Sequence, residues 1–130
     1  MHPAGLLYSK HHEWVKADKN IVTVGITDYA QTSLGDVVFV ELPGESDVVA
    51  AGKPYGSVES VKSISDLVSS VDGKVVAVNE GIMDSPDLLN SDPYGEGWLI
   101  KIEASDLRQL DGMMSAAEYE SFVAAEGHKG

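Results

Sequence analysis

Six short runs of β-branched and aliphatic residues, each closed by turn-forming residues, restrict the architectures open to this chain. They are residues 21–26 (IVTVGI), 37–42 (VVFVEL), 55–59 (YGSVE), 64–69 (ISDLVS), 74–79 (KVVAVN) and 98–103 (WLIKIE). Each has strand length and near-alternating polarity. Turn chemistry separates them at Asp18-Lys19-Asn20, Pro43-Gly44, Ala51-Gly52-Lys53-Pro54 and Asp72-Gly73. Asp72-Gly73 between two apolar runs predicts a hairpin, because glycine takes positive φ without a Cβ clash. Many short strands with frequent turns predict a mainly β sandwich or barrel.

Helices are few and placed by their caps. Thr27 caps residues 28–34 (DYAQTSL), Asp28 suits the positive helix end, and Gly35 stops the helix. Ser115-Ala116-Ala117-Glu118 matches a capping box and opens a C-terminal helix over about 115–126. Tyr119, Phe122 and Val123 form its apolar stripe. A further short helix is expected around 105–110. Residues 80–96 carry five acids and no base and read as an ordered acidic loop anchored by Leu88, Leu89 and Tyr94.

A chain of 130 residues with 43% hydrophobic content suits one domain with a sizeable core. The balance of 9 Lys+Arg against 21 Asp+Glu, a net −12, argues against nucleic-acid and anionic-membrane partners. With no cysteine, there is no disulfide, thiolate metal site or cysteine nucleophile, so any thiol chemistry needs an added group. No apolar run reaches the roughly 20 residues of a membrane helix. The start lacks an apolar h-region and an Arg-rich transit pattern. A bacterial cytoplasmic location is the expectation, ahead of a processed mitochondrial one.

The segment Gly56-Ser57-Val58-Glu59-Ser60-Val61-Lys62-Ser63-Ile64-Ser65-Asp66-Leu67 is the most unusual local sequence. A strand enters, polar residues interrupt it and a strand leaves. Lys62 therefore sits near an exposed turn between the small residues Ser60 and Ser63, with Glu59 and Asp66 as flanking acids. A modifying enzyme needs such a lysine, and so does an ordinary solvated turn. Three other blocks accompany it in order: Tyr8-Ser9-Lys10-His11-His12-Glu13-Trp14-Val15, then Gly25-Ile26-Thr27-Asp28-Tyr29-Ala30-Gln31 with Leu34-Gly35-Asp36-Val37-Val38-Phe39-Val40-Glu41-Leu42-Pro43, and Asn90-Ser91-Asp92-Pro93-Tyr94-Gly95-Glu96-Gly97-Trp98-Leu99. Together the four blocks resemble the H-protein family of the glycine cleavage system, from about Tyr8 to Glu103.

The resemblance implies a mainly β barrel-sandwich hybrid of the biotinyl/lipoyl carrier type, spanning 1–130, with short helices and a C-terminal helix. It implies an opening strand pair and lipoic acid in amide linkage to Lys62, with Glu59, Ser60, Val61, Ser63 and Asp66 as the flank of the lipoylation site. It implies a carrier without catalytic activity of its own. The implied cargo is the aminomethyl group of glycine, passed from a pyridoxal-phosphate glycine decarboxylase to a tetrahydrofolate-dependent aminomethyltransferase. A flavin (FAD) dihydrolipoyl dehydrogenase and a lipoyl-attaching enzyme complete the implied partners. A relay of lipoyl groups to other enzymes and a non-lipoylated adaptor are the alternatives. Ser69-Ser70-Val71-Asp72-Gly73 departs from the family, which usually has a proline there, and puts local rigidity in question.

An aminomethyl group on a thiol is labile in water, so a carrier should shelter it. A groove near the Lys62 hairpin is therefore expected, walled by residues 8–14, with Glu13, and by the helix at 28–34. Other candidates are weaker. His11-His12-Glu13 lacks metal-site spacing, and adjacent strand residues point to opposite faces. His2 and His128 lie near the chain ends. Trp14 and Trp98 read as core or rim aromatics, and Gly95 and Gly97 as turn residues.

Overall fold

The computed structural model describes residues 5–127; His2 and His128 lie outside them. Nine strands form two sheets: β1 (Leu7–Tyr8), β2 (Glu13–Asp18), β3 (Ile21–Ile26), β4 (Val37–Glu41), β5 (Val48–Val49), β6 (Pro54–Ser60), β7 (Ile64–Val68), β8 (Gly73–Val78) and β9 (Ile100–Ala104). The larger sheet has the order β1-β2-β3-β9-β8-β5 and the smaller β4-β6-β7; every pairing is antiparallel. All six expected runs are strands. The two-residue β5 is an addition, too short to carry a periodic pattern.

Alternation places Val15, Val22, Val24, Val75, Ile100 and Ile102 in one core cluster. A second holds Ile26, Val37, Val58, Leu67, Ile82 and Leu89. Tyr8, Trp14 and Tyr119 form a third. Gly25 faces Trp14 across β2–β3, and a Cβ there would come within 2.6 Å of the indole.

Helix α1 (Asp28–Leu34) is capped as expected: the Ala30 N–H donates to Thr27 Oγ1 at 3.1 Å, and Gly35, at φ +81°, closes it. The C-terminal helix spans Ala116–Gly127, and its capping box is complete, with Ser115 N–H to Glu118 Oε1 at 2.9 Å and Glu118 N–H to Ser115 Oγ at 3.2 Å. The segment 107–110 is a 3-10 helix capped by Asp106.

Two expectations need correction. Asp72-Gly73 makes no hairpin: β7 pairs with β6, whereas β8 pairs with β9 and β5, so the chain crosses between sheets here. Gly73 is needed for close approach instead, because a Cβ would overlap the Glu103 carbonyl. Residues 80–96 are not loop throughout but hold two short helices, α2 (Glu80–Asp84) and α3 (Leu88–Ser91), taking the C-terminal helix to α4. Ile82 and Leu89, both fully buried, hold them down. In the stretch 69–73, which lacks the proline, the Ser69 hydroxyl donates to the Val71 carbonyl at 2.6 Å and accepts the Val71 N–H.

Candidate functional site

The β6–β7 hairpin ends in a turn built by Ser60. Its Oγ, buried at the strand end, accepts the N–H groups of Lys62 and Ser63, both at 3.1 Å, and the Ser60 N–H reaches the Ser63 carbonyl at 2.8 Å. The Val61 N–H donates to the Asp36 carbonyl at 3.0 Å, which docks the tip on the link from α1 to β4. With these backbone groups satisfied, the Val61, Lys62 and Ser63 side chains are free to face solvent. The Lys62 stem lies over Gly35: a Cβ on that glycine would stand 3.1 Å from Lys62 Cε. Gly35 thus serves twice, supplying positive φ at the end of α1 and room for the lysine.

The structure brings Ser60, Val61, Lys62 and Ser63 together at the tip and separates the two flanking acids. Glu59 is exposed on the last rung, paired with Ile64 on one side and Phe39 on the other. Asp66 lies opposite Ser57 and lines a cavity.

That cavity, about 620 Å³, runs beside α1. One wall is α1, with Tyr29, Ala30, Ser33 and Leu34; β7 and Val58 form another; His11, His12 and Glu13 close the far end. The seven residues of α1, at about 1.5 Å rise each, make a wall about 10 Å long. Gly35 at one end meets Lys62. Thr27 at the other donates its N–H to the His12 carbonyl at 3.0 Å, next to Glu13. Of the expected walls, residues 11–13 and the helix at 28–34 line this space, residues 8–10 and Trp14 do not, and β7 adds a wall that was not expected.

Glu13 is 2% exposed. It shares a strand face with Val15, which points into the inter-sheet core, so alternation carries the carboxylate inward. Tyr55 donates its hydroxyl to Glu13 Oε2 at 3.1 Å, while Oε1 is buried with no partner. Burial pushes the Glu13 carboxyl up to about 8, against the pull of the Tyr55 hydrogen bond. A buried carboxyl with one unpaired oxygen suits a cation that brings its own N–H groups and favours the ionised form.

The far end is braced from α4. Tyr119, fully buried and stacked on Tyr8, places its hydroxyl 2.7 Å from Thr27 Oγ1 and 2.8 Å from His12 Nδ1. His12 takes φ +65°, which turns it toward this hydroxyl. The segment 90–99 braces α1 from the other side. Asn90 donates to the Gly35 carbonyl at 2.8 Å and accepts the Val37 N–H at 2.9 Å, and the Tyr94 hydroxyl accepts the Asp28 N–H at 2.9 Å. Gly97 has no room for a side chain, since a Cβ would stand 2.7 Å from the Asp92 carbonyl oxygen.

Sequence reasoning missed Tyr55 and the hydroxyl role of Tyr119; the stripe through Tyr119 signalled a packed helix face only. His11 and His12 lie in the turn before β2, not in a strand, and line the cavity together with Glu13. Among the described residues no group of three or more His, Asp or Glu side chains is gathered to hold a metal ion. Trp14 is buried and donates to the Pro93 carbonyl, and Trp98 sits at the rim beneath Lys101.

A sequence-family model described as "Glycine cleavage H-protein" matches residues 6–126. The glycine cleavage system H protein of Carboxydothermus hydrogenoformans is 54% identical over 125 residues, covering 96% of each chain. That of Coprothermobacter proteolyticus is 56% identical, covering 92% of this chain and 94% of the relative. The crystal structure of a glycine cleavage system H protein from Mycobacterium marinum superposes with a TM-score of 0.88 at 36% identity, covering 94% of this chain and 98% of that one.

Proposed function

The chain belongs to the glycine cleavage H-protein family, and from that premise we propose that it carries a lipoyl group on Lys62 and shelters its cargo in the cavity beside α1. The fold is the family's mainly β lipoyl-carrier barrel-sandwich, and the protein is a non-catalytic carrier of glycine cleavage. The observation that carries the proposal is the arrangement of α1, with an accessible lysine at one end and an unpartnered buried carboxyl oxygen at the other.

The residues present fit such a group. Acylation needs an accessible amine on a rigid support, and the Ser60 turn provides both for Lys62. An apolar arm needs apolar contacts, and Ile26, Ala30, Leu34, Val58 and Leu67 supply them within a mixed lining. When attached, the lipoyl group supplies the two sulfurs through which the aminomethyl group of glycine is taken up and handed on. The chain's own part is to hold and shield. Walls on three sides limit access of water to the cargo, and Glu13 Oε1 accepts a hydrogen bond from its ammonium. The absence of cysteine leaves no internal thiol to trap the arm.

The partners that follow are the pyridoxal-phosphate glycine decarboxylase, the tetrahydrofolate-dependent aminomethyltransferase, the flavin dihydrolipoyl dehydrogenase and a lipoyl-attaching enzyme. The net charge of −12 suits weak, steered encounters with basic surfaces around their active-site mouths. The bacterial relatives support a cytoplasmic site of action, and among the described residues no helix is long and apolar enough to cross a membrane. The test is incubation with lipoyl ligase, ATP and lipoate, followed by intact-mass analysis and peptide mapping. One lipoyl group on Lys62 is expected; a group on Lys53 or Lys74 instead would overturn the site assignment.

A further inference from the structure

Tyr55 belongs neither to the Lys62 turn nor to the cavity lining, yet among the described residues the hydrogen bond to the Glu13 side chain comes from it. A β-bulge brings it there. Along β6 and β7, Gly56 pairs with Leu67 and Pro54 with Val68, so Tyr55 is an extra residue in the ladder. Such a bulge re-aims a side chain. The Tyr55 ring packs against both inter-sheet clusters, and its hydroxyl meets Glu13 on the opposite sheet. Next to it, a Cβ at Gly56 would overlap the Glu41 carbonyl, so β6 is pressed against β4 at the bulge.

A carboxyl group has two oxygens and one torsion that sets where they point. One donor on Oε2 fixes that torsion and leaves Oε1 as the buried, unpaired oxygen. We propose that Tyr55 is a positioning residue for cargo retention: its hydroxyl occupies Glu13 Oε2 and holds the carboxyl with Oε1 directed to the cation in the cavity. This rests on the reading of the cavity given above. The same bond favours the ionised carboxylate that a cation needs and opposes the cost of burying it. Tyr55 faces Glu13 from β6. Around the same cavity stand Asp66 from β7, Tyr29 from α1, and His11 and His12 from the turn before β2.

Tyr55→Phe removes the hydroxyl and keeps the ring. In the unlipoylated protein, the ¹³C carboxyl shift of Glu13 reads its titration, and the variant midpoint should move up by about half a unit to one unit. In the loaded protein, release of formaldehyde and ammonia at pH 7 should rise roughly two- to tenfold. Glu13→Gln should raise it further, and the double variant should match Glu13→Gln alone, because Tyr55 acts through Glu13. Melting of the Tyr55→Phe variant at pH 6 should fall by a few degrees, as for the loss of one buried hydrogen bond. An unchanged Glu13 midpoint with wild-type release, or additive effects in the double variant, would overturn the role of Tyr55. Release unaffected by Glu13→Gln would instead overturn the underlying reading of the cavity.

Discussion

At the Gly35 end of α1, Lys62 stands in solvent on a turn whose backbone Ser60 already satisfies; at the Thr27 end, Glu13 is 2% exposed with one carboxyl oxygen unpartnered. The tip makes its chemistry available by leaving a side chain free, so the lysine contributes little to the fold. The far end makes its chemistry available by leaving an acceptor unmet, and burial of that group weighs on stability. Attachment by a separate enzyme requires access, whereas retention of a labile cargo requires exclusion of water. One helix joins the two environments.

The greatest loss is expected at the exposed tip. Lys62→Arg should abolish the lipoyl mass increment altogether while changing stability by no more than about 0.5 kcal/mol, because arginine keeps the stem over Gly35 and the head stays in solvent. Intact mass and chemical denaturation check both halves. A large loss of stability would show that Lys62 is part of the frame.

Glu13→Gln acts at the buried end, and its signature is a pH dependence. The folded carboxyl is raised from 4.5 to about 8. Between those values the folded chain binds a proton that the unfolded chain does not. The contribution of Glu13 to stability is therefore fully present below about 4.5, declines across that window and is lost as pH rises through about 8. Denaturation at a series of pH values should show a wild-type-minus-variant difference of a few kcal/mol across the window; a flat difference would mean that Glu13 titrates normally.

Tyr119→Phe sharpens the contrast by loosening the far end from outside the cavity. It leaves Thr27 and His12 without their shared hydroxyl and should cost about 1–3 kcal/mol. Lipoylation should proceed at the wild-type rate, because the tip is held separately through Asp36. Smallest of all, Glu59→Ala should slow ligation, as expected for an acid three residues before the target lysine, and alter stability by no more than about 0.5 kcal/mol. Unchanged ligation kinetics would mark Glu59 as a solvated strand residue.

Strands and caps were legible because they are local. Alternation marked six of the seven long strands, β2 being expected from the resemblance alone, and Thr27, Ser115 and Glu118 marked the helix starts through bonds within three residues. Partnering across sheets was not. Asp72-Gly73 reads as a hairpin because the two uses of glycine, positive φ and close approach, look alike in sequence; only the overlap with Glu103 tells them apart. The helices within residues 80–96 have no side-chain cap bonds, and Ile82 and Leu89 hold them through distant core contacts. Lys62 stood out through motif resemblance. The bulge at Tyr55 left no local mark, since its cause is the partner register of β7.

On this reading, cargo lodges along α1 with its ammonium at Glu13. The direct measurement is ¹⁵N and ¹³C NMR of the lipoylated protein in its oxidised and aminomethylated forms. Changes confined to residues 11–13, 29–34 and 63–67 on loading, with the Glu13 carboxyl moving to its ionised shift at pH 7, are the predicted result. An arm equally mobile in both forms, with Glu13 unmoved, would contradict it.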